Sequence, residues 1–423
     1  MRVLHCSTSV SNSSANVRMQ NALIKSGIES KILVLFKGNH IIQNVNDIGE
    51  FGFGYRIYQK FAYYFNILEF YFLKDLCGLQ KGMPYSWIPI GIDVSKLVKA
   101  YEIDVIHLHC VNSCYLSLNV IRKLSSLNKP IVITLHDSWF LTGGCHVLDG
   151  CTNYQNNCVR CSEIKRGNFI RRKHFKRKRK ILELSNVYFT APSKWTYENY
   201  IKSGLKKDKC CIIGNTLNFD IFKPSRNVYA SDCDRKIKLL FGALNGVETP
   251  YKGFGYLVEM LQLLYNNHIE LADKIELHIF GAETSNEGIL DKFHCKFWGY
   301  IASELEMARL YDMCNIYIVP SLEDSFNQTV LESCACATPV VSFQTGGICD
   351  IIRHKETGYL AQYKDAADLL NGVFWILRNN INNSIGIAAR QDVKKRFAEA
   401  IIAKQWSELY TSLIRDKKID KEK

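Results

Sequence analysis

No run of about 18 uninterrupted apolar residues occurs in this chain, so no segment reads as a membrane-spanning helix. No secretory leader is expected either. The opening MRVLHCSTSV is too short for one and reads as a first strand. Cysteine is plentiful at sixteen, but most of the cysteines stand singly along apolar runs. That scatter suits a reducing cytoplasm, which is the expected location.

At 423 residues the chain is long enough for two domains with ample core. Apolar residues make up 47% and charged ones 22%, an ordinary globular composition. The formal charge is +13, and ten Lys and Arg between Lys165 and Lys180 supply most of the excess. The natural partners of such a run are anionic: membrane headgroups, phosphorylated substrates or nucleic acid.

Strand and helix signals alternate throughout. Arg2 to Cys6 and Lys31 to Phe36 read as strands, with a predicted helix from Val17 to Ser26 between them, capped by Gly27. Small residues Ser13 and Ser14 sit in the first loop. Asp104 to His109 and Pro130 to Leu135 are predicted strands, with a helix expected over Val111 to Leu124. Phe51 to Leu73 is aromatic-rich. Its favoured reading is a pair of core-packing helices, and its rival is an amphipathic surface that meets lipid. Asn215 to Pro224 reads as a non-regular linker. Lys236 to Ala243 and Lys274 to Gly281 open a second half.

The stretch VPSLEDSFNQTVLESCACATPVVSFQTGGICDII, Val319 to Ile352, carries the densest chemistry. A strand ending at Val319 leads to a polar loop with Glu323, Asp324, Phe326 and Asn327. A helix bearing Glu332 follows, then a strand over Val340 to Phe343 and the loop glycines Gly346 and Gly347. This is a βαβα unit, so the sheet should be parallel, and ligands should sit beyond its strands' carboxyl ends. Carboxylates there can accept hydrogen bonds from sugar hydroxyls. The helix starts after Asn327 and Gly347 should offer N–H groups to a diphosphate.

Together these residues resemble the nucleotide-sugar signature of family-4 glycosyltransferases with the GT-B fold. That signature usually carries two glutamates spaced like Asp324 and Glu332. Here the first is Asp324, with Glu323 beside it. The resemblance covers nearly the whole chain. It implies an α/β architecture of two Rossmann-like domains facing a cleft. Residues 1–217 form the acceptor side, with a C-terminal helix over about 396–415 packing back on them. Residues 218–395 hold the donor. It further implies retention of anomeric configuration, with Glu332 on the ribose, Asp324 on the donor sugar and Lys252 on the diphosphate. His136, in PIVITLHDSW, would face the transferring sugar, with His109, Ser13 and Ser14 on the acceptor side. Relatives often carry an Arg just before the lysine; this chain has none between Phe241 and Lys252. No metal is expected in catalysis.

Cys145, Cys151, Cys158 and Cys161 crowd one loop after the histidine segment. Four thiolates suit a tetrahedral structural zinc; two thiol pairs are the alternative. Similar loops follow the HD-W segment in a polysaccharide-building subgroup of the family. The expected partners are a nucleotide-diphosphate sugar and a glycan or lipid-linked acceptor. The basic run should lie against an anionic membrane surface, peripheral to the inner face, and nucleic acid is not expected. The rival readings are a catalytically weak GT-B scaffold and a zinc-knuckle, basic-patch nucleic-acid binder.

Overall fold

The computed structural model describes residues 1–422 apart from 39–41, 72–83, 87–89, 160, 162–167, 226–235 and 243–245. The chain divides into two units, Met1–Thr216 with Glu399–Lys423, and Leu217–Ala398.

The first unit is built on strands β1 (Arg2–Ser9), β2 (Glu29–Phe36), β3 (Val45–Asp47), β4 (Val105–Leu108), β5 (Ile131–Thr134), β6 (Val187–Ala191) and β7 (Cys210–Ile212). They pair in parallel in the order β3-β2-β1-β4-β5-β6-β7. Strands such as VIHL and IVIT are buried throughout, as expected where helices cover both faces of a parallel sheet. One covering helix is α1 (Ala15–Lys25). The others are α2 (Phe53–Tyr71), α3 (Ser95–Ala100), α4 (Leu118–Ser125), α5 (Asn168–Leu182) and α6 (Lys194–Lys202). Val17 of α1 packs with Ile32 and Val34, whereas Ala62 of α2, Val98, Ile121 and Phe175 share a larger cluster with Leu4, Ile106 and Ile133. Helices α2 to α5 therefore contribute to one core.

The second unit repeats the plan with β8 (Ile237–Gly242), β9 (Ile275–Phe280), β10 (His294–Phe297), β11 (Ile316–Val319), β12 (Val340–Phe343) and β13 (Gly358–Ala361), in the order β10-β9-β8-β11-β12-β13. Its helices are α7 (Phe254–Asn267), α8 (Ile269–Ala272), α9 (Glu304–Met313), α10 (Gln328–Ala335), α11 (Ile348–Ile351), α12 (Ala366–Asn379) and α13 (Ser384–Phe397). Side-chain caps start several: Ser303 for α9, Asn327 for α10 and Asp365 for α12. Finally α14 (Glu399–Glu422) belongs to the first unit, where Lys25 of α1 pairs with Glu399 at 2.6 Å.

Several expectations are corrected. Residues 111–117 are not helical, because Ser113 and Cys114 take positive φ and Ser117 supplies the cap that starts α4. The aromatic stretch is one helix, not two, and much of it is exposed; Leu73 lies outside the described residues.

Candidate functional site

In each sheet the strand order reverses once, between β1 and β4 and between β8 and β11. Crevices beyond the carboxyl ends of strands at such switch points are where open α/β sheets bind ligands.

At the β8–β11 point the Lys252 ammonium pairs with Asp324 Oδ2 at 2.9 Å. Burial disfavours the charge on Lys252, but Asp324 outweighs it and raises the pKa above the ordinary value. Asp324 Oδ2 also accepts from Asn327 Nδ2 at 3.1 Å, and Oδ1 from the Phe326 amide at 3.3 Å. Gly253 has φ +74° and starts α7; a Cβ there would stand 1.8 Å from the Pro320 carbonyl. That close approach fixes Lys252 beside the 320–327 loop. Glu332 is buried on α10 and accepts from the Tyr311 hydroxyl at 2.9 Å. Glu323 is half-buried in the same loop.

Two of the loop's amides are spent inside it. The Gly347 amide is taken by the Asp324 carbonyl at 2.9 Å, and the Val330 amide by Asn327 Oδ1 at 3.0 Å. Neither stands free for a diphosphate, because the loop folds back on itself. Gly346, at φ +52°, is needed instead for that fold: a Cβ there would meet the Asp324 carbonyl at 2.3 Å. The Phe326 side chain is buried edge-on against Phe397, so its ring is packing and not a ligand surface. Residues 243–245, before Lys252, lie outside the described residues.

At the β1–β4 point a chain of imidazoles runs through the sheet edge. His136, just past β5, contacts His109 Nδ1 at 2.8 Å, and His109 Nε2 contacts His5 Nδ1 at 3.0 Å. Register makes this possible, since His5 of β1 lies opposite His107 of β4. His107 contacts Thr134 at 2.7 Å and the Tyr410 hydroxyl of α14 at 2.7 Å. Burial pulls the pKa of His5 down to about 3 and of His136 to about 4; His109 and His107 lie well below the ordinary value for the same reason. The rings are therefore neutral. The ring nitrogens of His5, His107 and His109 lie within 4.8 Å of one another, yet His107 and His109 use both nitrogens in hydrogen bonds. A metal there would have to break those bonds.

Beside His136, Asp137 accepts from His146 Nδ1 at 2.7 Å, and His146 Nε2 contacts Ser86 Oγ at 2.8 Å. Burial opposes the charge on Asp137, but His146 keeps its carboxyl below the ordinary value. Ser14 Oγ donates to the Ser11 carbonyl at 2.7 Å, and Ser14 has φ −71°, so the first loop needs no glycine there. Ser13 Oγ lies 3.3 Å from Ser11 Oγ on the exposed rim. Sequence reasoning missed His5, His107, Asp137, His146 and Tyr410. The spacing His107-x-His109 was the one available signal, because alternate strand residues share a face.

Cys145, Cys151, Cys158 and Cys161 all line one pocket, together with Leu148, Tyr154 and Arg171. Burial pushes the Cys158 thiol up, opposed by the Gly143 amide and by Arg171 and Lys178. Lys178 is buried, donates to the carbonyls of Trp139 and Thr142, and is drawn down to about 7 by burial. The basic run is thus not uniformly solvated. Arg171 and Lys178 face inward, while Arg172, Lys173, Lys176, Arg177 and Lys180 are exposed; Lys165 and Arg166 lie outside the described residues.

Two family models match, "Glycosyltransferase Family 4" over residues 21–220 and "Glycosyl transferases group 1" over residues 235–379. The chain is 28% identical over 120 residues to N-acetyl-alpha-D-glucosaminyl L-malate synthase of Bacillus anthracis, 28% of this chain and 32% of that protein. It is 25% identical over 227 residues to N,N'-diacetylbacillosaminyl-diphospho-undecaprenol alpha-1,3-N-acetylgalactosaminyltransferase of Campylobacter jejuni, 50% of this chain and 57% of that protein. The matches thus span from about a third to just over half of these curated relatives. In fold the chain resembles HepE of Anabaena, solved with UDP and glucose, at 15% identity and a TM-score of 0.62, covering 97% of this chain and 100% of that one. With one glycosyltransferase model over each half and a two-sheet architecture shared with such enzymes, the chain belongs to the family-4 glycosyltransferases of the GT-B fold.

Proposed function

We propose that this protein moves a sugar from a nucleotide-diphosphate donor to a glycan or lipid-linked acceptor, with retention of anomeric configuration. The observation that carries this reading is the Lys252–Asp324 pair at the β8–β11 switch point, backed by Glu332. Lysine has three donors, so Lys252 can hold Asp324 and a departing diphosphate together, offsetting charge that develops as the glycosidic bond breaks. Glu332 accepts from ribose hydroxyls, and Asp324 and Glu323 from the donor sugar. His136, neutral and with Nε2 engaged by His109, is the first unit's group for orienting a sugar hydroxyl. No protein nucleophile is invoked: departure gives an oxocarbenium-like transition state, and the acceptor hydroxyl attacks the face the diphosphate leaves. The HepE structure with UDP and glucose supports a uridine nucleotide donor, and the undecaprenol-named relative supports a lipid-linked acceptor in polysaccharide assembly.

The four-cysteine loop holds a structural zinc in this reading. All four cysteines line one pocket, although among the described residues their sulfurs do not meet within ligating distance as a group of three, and a zinc tetrathiolate would place net negative charge beside the buried Arg171 and Lys178. The test of donor use is thermal stabilisation across a panel of nucleotide sugars. One present at about 100 times its Kd should add about 2.7 kcal/mol of stability. If none of the panel shifts the unfolding transition, the donor reading is wrong.

A further inference from the structure

Helix α2 carries an exposed apolar stripe. Phe53, Ile57, Tyr64, Leu68 and Tyr71 recur at helical spacing and are 77, 53, 65, 63 and 55% exposed, with Phe61 alongside. The opposite side of the helix holds it to the unit. Ala62 is buried, Tyr58 donates to the Cys114 carbonyl at 2.7 Å, and Asn66 to the Ser113 carbonyl at 3.1 Å. Contiguous exposed apolar area of this kind marks an interaction surface.

The charges around the stripe identify what covers it. Arg56 and Lys60 are exposed along its edge, and the helix's one acid, Glu69, is buried. Helix α5 contributes to the same core as α2, and it exposes Arg172, Lys173, Lys176, Arg177 and Lys180 with no acidic residue of its own. Helix α4 packs beside α5, and its Asn119 accepts from Arg177 at 3.2 Å. A second copy docked face to face would set these cations against their own kind. A surface with anionic headgroups over an apolar interior meets both features. Nor can α2 cross a bilayer: among the described residues no helix is long and apolar enough to do so. An apolar face rich in aromatics, flanked by basic residues, is the pattern of a helix lying in the interface plane.

We propose that α2 is a membrane-docking helix, which seats Phe53, Ile57, Phe61, Tyr64 and Leu68 among lipid acyl chains while α5 engages the anionic headgroups. This gives a place in the molecule to the lipid-facing part of the function proposed above, but it is measured without donor or acceptor. The full chain is mixed with vesicles of phosphatidylcholine alone or with phosphatidylglycerol, at low salt and at about 1 M salt, where charges are screened beyond about 3 Å. The wild type should sediment with the anionic vesicles and keep a substantial bound fraction at high salt, since apolar insertion is not screened. The variant Phe53→Ser/Ile57→Ser/Leu68→Ser should bind at least about tenfold more weakly with an unchanged melting temperature, because its side chains are exposed. A Leu68→Trp variant should gain fluorescence quenching by acyl-brominated lipid relative to the wild type. Complete release by salt, or vesicle binding by the triple serine variant equal to wild type, overturns the insertion. So does concentration-dependent self-association that the triple variant abolishes. Nucleotide-sugar binding measured on the same samples separates failure of docking from failure of the donor reading.

Discussion

The two switch points hold their polar groups by opposite means. At β8–β11 an ammonium and a carboxylate meet as charges, each retaining hydrogen-bonding capacity for a ligand. At β1–β4 the imidazoles meet as neutral rings, each spending a nitrogen on the next. A charged pair keeps its place by attraction and tolerates partial exposure. A chain of neutral rings needs burial, since water would compete for every link. The first arrangement suits a site that must stabilise an anion; the second suits one that must orient a side chain without attracting charge.

Four measurements test that contrast, the largest effect first. Removing zinc from the cysteine loop should destabilise the first unit by roughly 5 kcal/mol or more, given the ~10–16 kcal/mol of zinc-finger sites. The second unit should keep its donor affinity. Metal analysis of protein made under reducing conditions should find about one zinc per chain, and a metal-free, fully stable preparation would contradict the site. Next, Lys252→Met should slow transfer by about 10²- to 10³-fold, the usual cost of losing a donor aimed at developing negative charge. An undiminished rate in the folded variant would take Lys252 out of the chemistry.

Glu332→Gln should weaken donor binding by about 1.5–3 kcal/mol, read by calorimetry, while the Tyr311 hydrogen bond survives on the amide oxygen. Unchanged affinity would move the ribose site elsewhere. The last measurement concerns acid. His5 and His136 are drawn below the ordinary histidine value by burial, so the unfolded chain binds protons that the folded chain refuses. Their contribution is fully present above about pH 6.5 and is lost as pH falls through about 4 towards 3. Each pKa unit of difference is worth about 1.4 kcal/mol. His136→Gln should flatten the fall in melting temperature between about pH 6.5 and 4.5. Parallel curves for the variant and the wild type would show that the cluster does not set acid stability.

The donor-side loop was legible because its chemistry is local: strand, acidic loop, capped helix and glycine turn follow one another within Val319 to Ile352. Its internal bonding was not. The Lys252–Asp324 pair joins residues 72 apart, and only the parallel order of β8 and β11 brings them together. The histidine chain was less legible still, since its members lie on three strand edges whose register no single segment reveals. Helix α2 misled for another reason. Both of its faces are apolar, so periodicity gives a helix without saying which side is covered. The basic run read as one surface facing an anionic membrane because nothing in KRGNFIRRKHFKRKRK tells that Arg171 and Lys178 turn inward.

Helix α14 sets an order of assembly. The first unit begins with β1 but is finished only by residues 399–423, made after the whole of Leu217–Ala398. Until then His107 lacks the Tyr410 hydroxyl and the Trp406 ring, 4.8 Å from its own, and α1 lacks its ion pair with Glu399. During synthesis the second unit can close around its own sheet while the first still waits with part of its apolar surface in water. Chaperone demand should therefore peak late in translation, and a stop codon just before Tyr410 should harm the half of the protein that was made first.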